Sequence, residues 1–190
     1  MKQFQTIDLT PLMNHKFVYE KVPENGDDSG LDGTYILKED FKFCQEERIN
    51  GTDFCFHYGD SDNVLCEGQR IPINSSAKKI HVIGFAYWED ICEYLRLIGI
   101  DGKEILVRIG LPDLTHAADS HVFYREQYKQ YDISTAKILL SSGRVKQLIY
   151  FHHCVCDVQN GGIIREIVLP DNMFMHIFAI TLERESEETD

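Results

Sequence analysis

A surface that binds sugar combines an aromatic ring, on which the apolar face of a pyranose stacks, with planar polar groups that pair with its hydroxyls. Two segments of this chain have that make-up. Tyr87-Trp88-Glu89-Asp90 holds the sole tryptophan, and His121, Tyr124 and Arg125, followed by Tyr128 and Tyr131, form the second. In this reading Trp88 stacks while Glu89, His121 and Arg125 hydrogen-bond, in a shallow groove at a sandwich edge or end. The competing reading makes the same rings partly buried core or edge residues.

Three further groups could carry chemistry. On a strand, His152, Cys154 and Cys156 share one face, and thiolate with imidazole suits zinc. There is no paired Cys-x2-Cys motif, a fourth ligand would have to come from elsewhere, and a half-buried strand face explains the same residues. Asp27, Asp28, Asp32 and Glu39 supply hard oxygen atoms. Asp28, Asp32, Gly33 and Glu39 match positions of an EF-hand loop, but Gly30 at the third position brings no side-chain oxygen and the flanks are not helical. An EF-hand is rejected, which leaves a structural calcium held by Asp28 and Asp32. Asp113 and His116, with His121 beyond, could support acid–base work, yet nothing selects the carboxylate pair that glycoside hydrolysis needs. The chain has no Gly-x-Ser-x-Gly elbow, phosphate loop or dinucleotide fingerprint. A non-catalytic protein that requires no cofactor is the expectation.

The elements that must position these residues are strands. Period-2 alternation marks residues 34–43, 53–58, 79–88, 94–100, 104–109, 145–155, 163–169 and 175–182, rich in the side chains that suit a pleated surface. In 79–88 both faces are apolar: Ile80, Val82, Gly84, Ala86 and Trp88 on one, His81, Ile83, Phe85 and Tyr87 on the other. This predicts a central strand covered on both sides. Asp101-Gly102 predicts a hairpin with a two-residue turn, and Asn160-Gly161-Gly162 a further break. Helical patterns are few: residues 88–98 permit one, and 134–142 could form a short helix. Many strands with almost no helix predict an all-β, antiparallel two-sheet sandwich.

The chain's 190 residues suit one domain over 1–182 with an acidic, flexible tail at 183–190. Nineteen basic residues against thirty-one acidic ones give a net charge of −12. That argues against nucleic acid and against an anionic membrane surface. No signal-peptide pattern or apolar span is present, so a cytoplasmic location is expected. The six cysteines then read mostly as buried thiols.

Near the C-terminus, Glu166-Ile167-Val168-Leu169-Pro170-Asp171-Asn172 followed by residues 175–182, Met-His-Ile-Phe-Ala-Ile-Thr-Leu, resembles the closing strands of a bacterial β-sandwich domain appended to glycoside hydrolases. Residues 7–16, 30–35, 62–73 and 79–84, and the Asp101-Gly102 hairpin, are similar to it in order. The resemblance implies a jelly-roll or galactose-binding-like sandwich that binds carbohydrate without catalysing its turnover, expected here as a stand-alone copy. Two alternatives stay open: a metal-assisted or acid–base enzyme acting on carbohydrate, and a structural or protein-interaction domain. A homo-oligomer is compatible with all three.

Overall fold

Alternation becomes strands wherever an apolar face finds a layer to pack on. The computed structural model describes residues 2–23, 31–118, 131–143, 146–159 and 162–184. Among them lie β1 (Gln3–Ile7), β2 (Val18–Tyr19), β3 (Ile36–Leu37), β4 (Glu46–Ile49), β5 (Thr52–Cys55), β6 (Val64–Glu67), β7 (Arg70–Ser75), β8 (Lys79–Ala86), β9 (Ile91–Gly99), β10 (Glu104–Leu111), β11 (Asp132–Leu140), β12 (Leu148–Asp157), β13 (Ile164–Val168) and β14 (Asp171–Arg184). The one helical element among the described residues is a 3-10 turn at Thr10–Leu12. No helix among them is long and apolar enough to cross a membrane.

A central sheet runs β1-β14-β8-β12-β11, with β6 also pairing β14, and a second sheet runs β10-β9-β13-β7. Every pairing in these two sheets is antiparallel, and the chain shuttles between them: β8 central, β9 and β10 second, β11 and β12 central, β13 second, β14 central. The protein is thus an all-β, antiparallel sandwich. Ile80, Val82, Leu95, Leu97, Ile109, Ile167 and Ile180 fill the space between the sheets.

The other face of the central sheet is covered too. Ile83, Phe85, Phe151 and Phe178 meet Phe17, Phe41, Phe43, Phe54 and Phe56 from the N-terminal half, with ring centroids 5.1 Å apart for Phe17–Phe85 and 5.0 Å for Phe151–Phe178. Strand β8 is therefore buried on both faces, as its pattern predicts. Its Gly84 is required by a close approach: a β-carbon there would sit 2.3 Å from the backbone oxygen of His176, beside the irregularity between Ile177 and Ala179 where β14 pairs β8.

Four expectations change. Residues 134–140 are not helical but belong to β11, whereas 94–99 lie in β9 as their alternation predicts; cross-strand partners outweigh local periodicity. In 34–43 only Ile36–Leu37 forms a strand, paired in parallel with β2. The Asp101-Gly102 turn has three residues, not two. Gly102 takes φ 79°, its N–H donates to Gly99 O at 3.0 Å, and the Gly99 N–H donates to Lys103 O at 2.8 Å. That is a type I turn closed by a left-handed glycine. Finally, β14 extends past residue 182. Glu183 is buried, accepting from Lys2 Nζ at 3.1 Å and facing His81 Nε2 at 3.2 Å. Only 185–190 of the expected tail lie outside the described residues.

Candidate functional site

Where β8 ends, the chain is held on both sides. The Ala86 N–H donates to Pro112 O and the Leu114 N–H to Ala86 O, each at 2.8 Å, while the Tyr87 N–H donates to Phe174 O at 2.9 Å. Clamped there, the next residue turns out of the sheet: Trp88 adopts φ 80°, a left-handed conformation that costs a bulky residue on the order of 1–3 kcal/mol. Its side chain does not compensate by burial, for Trp88 is 70% exposed. The sequence pattern assigns it to the face of Ile80 and Val82, and the backbone twist takes it off that face.

Around the indole lie other rings. Tyr87 meets it edge-on at 5.8 Å, and Phe174 is tilted by 41° at 6.5 Å. Phe174 and Met173 are themselves exposed, so the platform is continuous across the β8 and β14 ends. Asn172 shapes the second part: its Oδ1 accepts the Phe174 N–H at 3.1 Å and its Nδ2 donates to Glu93 Oε1 at 3.2 Å.

The surrounding carboxylates are fixed. The Tyr87 hydroxyl donates to Asp32 Oδ2 at 2.6 Å; burial, then this bond to a carboxylate, raises the phenol's pKa well above its ordinary value. Asp90 Oδ1 accepts the Asp113 N–H at 2.7 Å and faces His116 Nδ1 at 3.0 Å. Asp113 Oδ1 in turn accepts the Thr115 N–H and Oγ–H at 2.8 and 2.6 Å. Glu89 is exposed beside Trp88. Behind this group His152 is fully buried, and neither ring nitrogen has a hydrogen-bond partner of ordinary geometry. Burial lowers its pKa to about 4, with the Asp113 backbone and the Asp90 and Asp113 charges opposing.

The structure therefore brings Tyr87, Trp88 and Glu89 to one end of the sandwich and adds Asp32, Asp90, Asp113 and His116 nearby. His121, Tyr124, Arg125 and Asp28 lie outside the described residues. Asp32 takes part as the acceptor of Tyr87, and among the described residues no three His, Cys, Asp or Glu side chains gather to hold a metal ion. His152, Cys154 and Cys156 do line one face of β12, but their setting is that of core side chains. The two thiols are buried with sulfurs 3.9 Å apart, and the Cys156 pKa is raised by its contact with Cys154 and by burial. Phe174 and Met173 escaped the sequence reading because they precede the last apolar run as if they were part of it; Asn172, a turn former directly before them, was the available signal.

No protein-family model and no curated protein matches the sequence.

Proposed function

We propose that the protein is a non-catalytic carbohydrate-binding domain of jelly-roll, galactose-binding-like type, and that Trp88 is its stacking surface. One observation carries this reading: a tryptophan is held at positive φ and left mostly in water. Folding gains nothing from that arrangement, since the strained backbone is not repaid by burial. A ligand whose flat apolar face covers the indole and Phe174 would repay it, and Glu89 and the outer edge of the Asp32–Tyr87 pair would accept its hydroxyls. The shuttling of consecutive strands between sheets and the resemblance of residues 166–182 to a hydrolase-appended sandwich support the same assignment.

Because Trp88 is the sole tryptophan, its fluorescence reports on this surface alone. Titration with a panel of neutral and acidic mono- and oligosaccharides should quench or shift the emission for one class, saturably. A flat response across the panel refutes the proposal.

A second reading, acid–base chemistry on the bound sugar, is favoured by the Asp90–His116 contact, in which a carboxylate orients an imidazole. It requires that the sugar which quenches Trp88 also be converted on prolonged incubation, as followed by NMR, and that His116→Ala abolish conversion while sparing the quench.

A further inference from the structure

The rings around Trp88 bound a corner as well as a platform. Tyr87 stands at 88° to the indole with centroids 5.8 Å apart, and Phe174 adds a third ring at 41° and 6.5 Å. The faces of aromatic rings carry negative potential, so such a corner attracts a cation that also has apolar surface.

The carboxylates beside it favour the same sign of charge. Asp32 and Glu89 are exposed. Asp32 accepts the Tyr87 hydroxyl at 2.6 Å, and a phenol brings no positive charge. Behind them, Asp113 accepts from Thr115, and Asp90 faces His116 Nδ1 at 3.0 Å. Among the described residues no Lys or Arg forms an ion pair with any of these four, and His116 against Asp90 is the one partner that can become cationic. The contrast with the rest of the surface is plain: Asp101 pairs with Lys103, Asp157 with Lys79, Glu104 with Arg96, and Glu166 with Arg70 and Arg165. The uncompensated charge reaches the rings. Burial first, then the bond and charge of Asp32, raise the Tyr87 phenol pKa, and the charge of Asp113 adds to them. A sugar bearing only hydroxyls would cover Asp32 and Glu89 without neutralising them, at a cost in desolvation that an ammonium offsets.

Resting on the assignment of Trp88 as a sugar-stacking surface, we propose that the preferred ligand is a hexosamine with a free, protonated amino group. The ammonium lies against the ring faces and pairs with Asp32 and Glu89, while the apolar face of the sugar covers the indole and Phe174. A neutral hexose lacks that charge, and a uronic acid brings the opposite one.

The test titrates the full chain, read by Trp88 emission, with glucose and glucosamine, galactose and galactosamine, and mannose and mannosamine, each pair differing only at C2, and with glucuronate. At low salt at least one amino sugar should bind about fivefold tighter than its hydroxyl counterpart, the equivalent of one exposed cation–π contact with weak exposed ion pairs, and glucuronate should bind worst. Raising the salt from about 0.05 to about 0.5 M should remove most of that preference. Asp32→Asn with Glu89→Gln keeps an acceptor oxygen at both exposed positions and removes both charges; Asp32 sits at φ 49°, which Asn adopts as readily. The double variant should keep its Tm and show a preference of less than about twofold. If it fails to fold, Glu89→Gln alone should still halve the preference. A response to no sugar in either set refutes sugar binding and this inference with it. Hydroxyl sugars bound as tightly as their amino partners overturn the inference and leave the sugar surface standing. A preference for glucuronate, an amino preference that survives in the double variant, or tetramethylammonium bound as tightly as the amino sugar would each overturn it as well.

Discussion

Replacing His152 by Leu should stabilise the protein and flatten its response to acid. The ring is fully buried, and neither nitrogen makes a hydrogen bond of ordinary geometry, the Asp113 backbone being its one polar neighbour; a buried polar group without a good hydrogen bond costs about 1–3 kcal/mol. Leucine, of similar size and set beside the apolar residues of the sandwich interior, removes that cost. Asp90 and Asp113 keep their bonds to His116, the Asp113 N–H and Thr115. The acid response has a definite sign. Burial keeps the folded ring neutral down to about pH 4, whereas the unfolded chain takes up a proton near 6.5. Between those values unfolding binds protons, so stability is full above about pH 6.5 and falls as the pH drops toward 4. Each such histidine costs about 2 kcal/mol at pH 5 relative to pH 8. His153 and His176, also buried, are lowered by burial to about 4 and about 3, so the three together cost about 6 kcal/mol. That is comparable to the whole stability of an ordinary domain, about 5–15 kcal/mol. Urea unfolding from pH 4.5 to 8 should show a stability slope near pH 5.5 that is smaller in His152→Leu by about 1.4 kcal/mol per pH unit, the equivalent of one proton, together with a gain of about 1–3 kcal/mol at pH 7.5. An unchanged slope would mean that the native ring is not held neutral by burial. A loss of stability at pH 7.5 would mean that it makes favourable contacts which outweigh its unpaired nitrogens.

Trp88→Gly relieves a positive φ at an exposed residue, so thermal unfolding should show no loss of stability and a gain of up to about 1 kcal/mol, while calorimetric binding of the sugar that quenches the wild type disappears. Gly84→Ala drives a methyl group to 2.3 Å from the His176 carbonyl oxygen in the middle of the central sheet; a loss of about 3 kcal/mol or failure to express folded protein is expected, judged by circular dichroism and urea midpoint. Buried Asp62 accepts from the Phe17 and Val18 N–H groups and from Asn63 Nδ2 at 3.1, 2.8 and 2.9 Å. Asp62→Ala strands these donors and should cost about 3 kcal/mol in denaturant titration, whereas Asp62→Asn, which keeps one acceptor oxygen, should cost less.

Period-2 patterning determined much of this molecule. Side chains on a strand can only alternate between two faces, so the double-sided apolar run of residues 79–88 had to be a central strand, and the dominance of such runs required a sandwich. Composition likewise brought Trp88 forward as a candidate site. What patterning could not decide was anything that depends on which distant strands become neighbours. Register, the bulge between Ile177 and Ala179 and the left-handed turn at residue 88 arise from packing the whole sheet, and they alone put Phe174 beside Trp88, Asp32 against Tyr87, and His116 against Asp90. Residues 134–142 show the same limit from the other side: their local pattern permits a helix, and pairing with β12 makes 134–140 a strand.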